Sequence, residues 1–279
     1  MHDIFIGCGV EYSRAKTVVF GVPFDGTASY RPGTRFAGKA IRSESFSIET
    51  FSPYQDRDLT DLKIHDGGDL EIPFGNTQRV IDMTEDYTAG ILSDNKLPFM
   101  IGGEHLVSLG AIKAALKKYP DLHLIHFDAH TDLRDDYLGE KLSHATVIRR
   151  AWELLGDNRI YQFGIRSGDR EEFMFAREHT FLNKFDLSGL SEAVEMLKGR
   201  PVYFTLDLDV LDSSVLPGTG TPEAGGISFN ELLQAVTAIG RLNIVGCDMV
   251  ELSPPCDQSG ASTALACKLL RELLISTYK

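Results

Sequence analysis

The sequence has no apolar stretch that approaches the ~18 residues a membrane-spanning helix needs. It has no C-x-x-C pair either. Its four cysteines, Cys8, Cys247, Cys256 and Cys267, stand singly. A disulfide framework is therefore not indicated, and a reducing cytoplasm fits best. Cys247 lies in an apolar, strand-like run and reads as a small core residue. Cys256 follows Pro254-Pro255 and reads as an exposed thiol with no activating neighbour. There is no internal repeat, low-complexity tract or Pro/Ser/Gly linker, and no run of five or six like charges. The chain thus reads as a single domain spanning residues 1–279. Positive charge is scarce: 28 Lys+Arg stand against 40 Asp+Glu, a net charge of −12. A phosphate-binding surface needs the opposite balance, so nucleic acid is excluded as a partner and a small cation is favoured. The start, Met1-His2-Asp3-Ile4-Phe5, lacks a basic region followed by a long apolar stretch, so no secretory signal is expected.

What is present is an alternation. Short apolar runs stand near Thr17–Phe20, Phe99–Ile101, Leu122–Phe127, Arg159–Phe163, Val202–Leu206 and Asn243–Cys247. Helical patterns occupy Val107–Lys118, His144–Leu155, Ser191–Lys198, Asn230–Ile239 and Ser262–Thr277, the last with Leu265, Leu269, Leu273 and Leu274 on one face. Strand alternating with helix predicts an α/β fold, a parallel sheet covered on both faces. Such sheets bind ligands at the carboxyl ends of their strands.

Four strand ends carry polar clusters: Gly102-Gly103-Glu104-His105, Asp128-Ala129-His130-Thr131-Asp132, Asp207-Leu208-Asp209 and Asp248-Met249-Val250-Glu251. Residues i and i+2 of an extended chain share a side, so Asp207 and Asp209 form one like-charged pair, and Asp128, His130 and Asp132 form a row. Buried together, such carboxylates repel and lose hydration unless a cation joins them. His105, His130, Asp128, Asp132, Asp207 and Asp209 are too many for one catalytic zinc and suit two divalent ions. Two ions ~3.5–4 Å apart acidify a shared water, which points to metal-assisted hydrolysis. His126 shares the face of Asp128 and His130 but lies inside an apolar run, so it reads as a supporting histidine. His123 reads as structural, His2, His65 and His179 as ordinary, and Glu104 as structural near the site.

These motifs resemble the three metal motifs of the ureohydrolase (arginase/agmatinase) superfamily, in the same order. Ser29–Phe36, Gly164-Ile165-Arg166-Ser167, Pro217–Gly226 and Asp248–Glu251 extend the likeness over nearly the whole chain. The resemblance implies a single α/β domain with a central parallel sheet of about eight strands flanked by helices. It also implies two Mn(II) ions per subunit, held by His105, Asp128, His130, Asp132, Asp207 and Asp209. Asp128, Asp132 and one of the final pair would bridge or span them. The implied reaction is attack of a metal-bridging hydroxide on a guanidinium carbon, giving urea and an amine. Asp132 matches the residue that passes a proton to the departing amine. Glu251 matches the carboxylate that pairs with the guanidinium, Thr221 a hydroxyl near the site, and His144 a histidine that exchanges protons with solvent. A trimer or hexamer is implied as well.

The loop Leu133–Leu142 is compact, lacks Asn and contributes Asp135, Asp136 and Glu140. It resembles the agmatine-hydrolysing branch, which implies conversion of agmatine to putrescine and urea in polyamine synthesis. The three acids read equally as a solvated loop or as an ammonium site. Arg134 equally fits the carboxylate of a guanidino acid, so hydrolysis of 4-guanidinobutyrate stays open, beside arginine and a non-catalytic metal-binding role.

Overall fold

The computed structural model describes residues 4–279. His2, expected to be ordinary, and the rest of Met1–Asp3, on which the expectation of no secretory signal also falls, lie outside the described residues. In chain order the strands are β1 (Thr17–Gly21), the short antiparallel pair β2 (Phe51–Ser52) and β3 (Arg57–Asp58), β4 (Ile64–Asp69), β5 (Leu97–Ile101), β6 (His123–Phe127), β7 (Ile160–Ile165), β8 (Phe181–Lys184), β9 (Pro201–Asp207) and β10 (Asn243–Val250). Apart from β2 and β3 they make one eight-stranded sheet in the order β4-β1-β5-β10-β9-β6-β7-β8. Every pairing in it is parallel.

The helices are α1 (Ala37–Glu44), α2 (Thr77–Ser93), α3 (Ser108–Lys118), α4 (Val147–Leu155), α5 (Arg170–His179), α6 (Leu190–Met196), α7 (Phe229–Ile239) and α8 (Ala261–Thr277). Buried side chains of α1, α6, α7 and α8 form one core on one face of the sheet. Those of α2, α3, α4 and α5 form a second core on the other. The pleat divides β9 between them. Val202, Phe204 and Leu206 enter the first core, and Tyr203 enters the second. Phe204 is fully buried and meets Phe127 edge to face, with ring centroids 5.1 Å apart. Phe204→Ala should therefore cost about 3–5 kcal/mol, measured as a lowered denaturant midpoint at unchanged m.

The six expected strands are present with slightly shifted ends. The strands not anticipated include both edges, β4 and β8. β4 reads Ile-His-Asp-Gly-Gly-Asp and buries only Ile64 and Asp66; β8 reads Phe-Leu-Asn-Lys and has no buried residue. Edge strands need no apolar run, so they leave a weak pattern. Helices α1, α2 and α5 also lie outside the expected set. One expectation needs correction: α8 is not a one-faced amphipathic helix. It is buried on most sides, and even Arg271 and Glu272 are enclosed as an ion pair 2.6 Å apart. No helix among the described residues is long and apolar enough to cross a membrane.

Candidate metal centre

The sheet order sets β5, β10, β9 and β6 side by side at its middle. Their carboxyl ends lead into His105, Glu251, Asp207 with Asp209, and Asp128 with Asp132, so residues distant in sequence converge. The glycines before His105 permit this. A Cβ on Gly103 would lie 1.8 Å from the Phe24 carbonyl oxygen. Asp132 and Glu251 adopt left-handed backbone, with φ of 51° and 67°. Such conformations cost about 1–3 kcal/mol each outside glycine and gather at functional sites.

Two ligand groups form, and they overlap. His105 Nδ1 lies 3.1 Å from Asp128 Oδ2, 3.3 Å from Asp132 Oδ2 and 3.3 Å from Asp207 Oδ2. His130 Nδ1 lies 3.0 Å from Asp209 Oδ2 and 3.4 Å from Asp128 Oδ1. Asp128 thus offers one oxygen to each group. Among the described residues, Asp128 is the one that belongs to both potential metal-holding clusters.

The donor set fits metal ions. Tyr203 OH donates to Asp248 Oδ2 (2.7 Å), and Thr205 Oγ1 donates to Asp248 Oδ1 (2.6 Å). With its proton committed, Thr205 Oγ1 accepts from His105 Nε2 at 2.9 Å. In the neutral ring this leaves the lone pair on Nδ1, a buried atom with no aligned hydrogen-bond partner, facing three carboxylates. A lone pair among carboxylate oxygens calls for a cation. The titration behaviour agrees. Burial, then the charge of Asp128, lifts Asp132 to about 7. Burial and the charges of Asp209 and Asp128 raise Asp207 well above the usual carboxylate range. Burial opposes the His105 imidazolium, but Asp128, Asp132 and Asp207 outweigh it and raise its pKa well above the ordinary value. Without metal, the cluster holds on to protons in place of cations.

His126 lies against the first group but has no lone pair to give. Its Nε2 donates to Asp128 Oδ2 at 2.8 Å, and its Nδ1 accepts from Gln162 Nε2 at 3.1 Å. Gln162 is itself oriented by Thr131 O and Thr180 Oγ1. Burial holds the His126 pKa below its ordinary value. Asp248, Thr205, His126 and Gln162 are neighbours across β10, β9, β6 and β7, forming a buried polar row beneath the ligands. Thr205 and Gln162 were not singled out from the sequence, and Asp248 stood in a noted cluster without a role of its own. The signal was there for Thr205 and His126: each stands two residues before a ligand, on the same side of its strand.

Beside the ligands opens a cavity of about 290 Å³, with His130, Asp132, Arg134, His144, Asp169 and Thr221 in its wall. Thr221 Oγ1 lies 3.3 Å from Asp209 Oδ2. His144 Nε2 meets Ser29 Oγ at 3.0 Å, and its backbone N–H donates to Thr27 Oγ1. Burial, with the neighbouring His130 and His105, lowers its pKa to about 4, so the ring is neutral at pH 7. Thr27 is held in turn by Glu104 through its amide (2.9 Å) and its hydroxyl. The Glu104 pKa is pushed up to about 7 by burial. Its placement agrees with a structural role near the site. Glu251 lies outside the cavity wall. It is buried beside the ligands, where Oε1 accepts from the His105 backbone N–H at 2.8 Å.

The acidic loop takes the solvated reading. Asp135 pairs with Arg150 at 2.9 Å, and Asp136 Oδ1 accepts from the Gly139 N–H at 3.0 Å. Asp135, Asp136 and Glu140 are absent from the cavity wall. Arg134 does line it, but its guanidinium is engaged: Nη1 lies 3.3 Å from Asp169 Oδ2, Nε lies 3.5 Å from Glu172 Oε2, and the Tyr137 ring lies against it. His65 bonds the Val10 carbonyl, and His179 pairs with Asp157 away from the site. All four cysteines are free; Cys247 is buried as expected, and Cys256 is only half-buried.

The sequence profile of the Arginase family matches residues 15–276. The agmatinase of Bacillus subtilis (strain 168) is 51% identical over 280 residues, spanning 99% of this chain and 97% of that one. A crystal structure from Clostridium difficile superposes with a TM-score of 0.94 at 52% identity, covering 96% of this chain and 99% of that one. The guanidinobutyrase of Pseudomonas aeruginosa is 36% identical over 95% of this chain and 87% of its own.

Proposed function

Because the chain belongs to the arginase family, we propose that it hydrolyses agmatine to putrescine and urea with two Mn(II) ions per subunit. The observation that carries this reading is the 51% identity, over 99% of the chain, to an agmatinase. The cavity supports the choice of substrate. Arg134, the side chain that would receive a guanidino acid's carboxylate, is already paired with Asp169 and Glu172. A substrate carrying a second positive charge needs no such partner, and the net charge of −12 draws it in.

In this reading His105, Asp128, Asp132 and Asp207 would hold one ion, and His130, Asp128 and Asp209 the other. Bound together, the ions supply hydroxide from a shared water near neutral pH. Glu251 Oε1 is committed to the His105 amide, which leaves Oε2 for the planar guanidinium. Hydroxide would add to the guanidinium carbon, and Asp132, through the oxygen that does not face His105, would take the proton of the added O–H and return it to the amine nitrogen as the C–N bond breaks. His144, neutral at pH 7, exchanges protons between cavity and solvent at Nε2. Thr221 keeps the second group in place through Asp209. The same reading takes residues 1–279 as one catalytic domain, working in the cytoplasm as a trimer or hexamer.

Urea release by the Mn-loaded protein, with agmatine, arginine and 4-guanidinobutyrate side by side, tests the proposal. Agmatine should be turned over with the highest kcat/KM. Preference for guanidinobutyrate would mean that Arg134 leaves its acidic partners. No urea from any of the three, with two ions bound, would overturn the catalytic reading.

A further inference from the structure

We propose that Arg166 is a positioning residue that locks the Asp209 metal loop to the loop carrying Thr221. The inference rests on the two-ion reading above. Arg166 directly follows β7, and its guanidinium binds main-chain carbonyls on both loops. Nη2 donates to Asp209 O at 2.7 Å, Glu223 O at 2.9 Å and Leu211 O at 3.3 Å. Nη1 donates to Gly164 O and Val210 O, each at 3.2 Å, and Nε donates to Ala224 O at 3.2 Å. Five N–H groups thus serve six carbonyl oxygens. Among the described residues no carboxylate lies within ion-pair reach of Arg166, so its geometry is set by the backbone alone.

The two loops need such a tie. Asp209 and Thr221 lie 12 residues apart, yet their side chains meet at 3.3 Å. Arg166 holds Asp209, Val210 and Leu211 on one side and Glu223 and Ala224 on the other, so it spans the contact. Asp212 fastens the same turn by accepting from the Gly225 and Gly226 N–H groups at 2.7 and 3.0 Å. The seat has no spare room. A Cβ on Gly226 would lie 2.7 Å from Arg166 Nη2 and 2.5 Å from Asp212 N. The glycine at the end of the Pro217–Gly226 segment is thereby explained: it makes space for the Leu211–Asp212 backbone and for the guanidinium. Lysine cannot take the place of arginine here, because three donors on one nitrogen cannot reach carbonyls spread around a planar fork.

The test is calorimetric titration of metal-free protein with Mn(II), for wild type, Arg166→Lys and Gly226→Ala. Melting curves and KM for the guanidine are measured in parallel. In both variants one ion should bind about tenfold or more weakly while the other binds as in wild type. KM should rise, and lysine should not rescue despite its charge. Gly226→Ala keeps the guanidinium but crowds both it and the Leu211–Asp212 backbone that it fastens, so it perturbs the same lock by a second route should Arg166→Lys not fold. Wild-type affinity for both ions in a folded variant would overturn the inference, even if its melting temperature fell, because that result describes a merely structural arginine. A wild-type protein that binds fewer than two ions would overturn the two-ion reading and this inference with it.

Discussion

Asp132→Ala and Asp209→Ala should each lower kcat for urea release by at least about 10³-fold and lower the bound metal from two ions to about one. The two substitutions act on different groups. Asp132 faces His105, and Asp209 faces His130. Each should therefore cost a different ion, and metal analysis of the pair separates the two positions. Loss of fold does not explain such a result. In the metal-free chain burial first, and then mutual repulsion of the acids, lifts Asp132 to about 7 and Asp207 well above the usual carboxylate range. Removing one acid relieves that repulsion, so the metal-free variants should melt no lower than metal-free wild type. Full activity in either variant would sink the assignment of the centre.

Glu251→Gln should leave both ions in place and still lower kcat/KM steeply. Glutamine keeps the shape of the side chain and can still accept from the His105 N–H through its carbonyl oxygen. What it removes is the negative charge opposite the guanidinium. Breaking a buried, charge-assisted pair costs about 3–5 kcal/mol, or roughly 10²–10⁴-fold in rate. The fall should appear as a higher KM, a lower kcat, or both, with metal content unchanged. Loss of an ion instead would show that the Glu251 charge acts on the metal centre, beside which the His105 N–H holds it at 2.8 Å. Its role would then be in assembling the centre, not in binding substrate.

Much of this site was legible because the chemistry sits at strand ends, where a polar cluster interrupts an apolar run. His105, Asp128, His130, Asp132, Asp207 and Asp209 each announce themselves that way, and the structure gathers all six. Less legible were groups whose work depends on strands that are neighbours only in the sheet. Nothing in the sequence says that Thr205 lies beside Asp248, or His126 beside Gln162. That information lives in the strand order. The acidic loop left two readings open in the sequence: Asp135 and Asp136 have suitable charge for a cationic substrate, and only the fold shows that Arg150 and the Gly139 amide take up their side chains. Arg166 stood inside a noted motif, yet an arginine that binds only carbonyls leaves no acidic partner in the pattern. The edge strands β4 and β8 were missed because they carry no apolar run, and helices α1, α2 and α5 because polar residues such as Arg42, Thr84, Glu85 and Glu172 sit in the faces they bury.

The position of β10 has a consequence for how the protein is made. Residues 243–250 lie in the middle of the sheet, flanked by β5 and β9. During synthesis the strands on either side emerge from the ribosome long before the one that joins them. Until β10 arrives, the β4-β1-β5 and β9-β6-β7-β8 portions have no shared backbone ladder, and His105 stays on the opposite side of the gap from Asp128 and Asp207. A nascent chain therefore cannot assemble the full constellation around an ion. Completion of the two-ion centre becomes one of the last events in the protein's biogenesis, and a chain stalled before this strand would hold neither a closed sheet nor a competent centre.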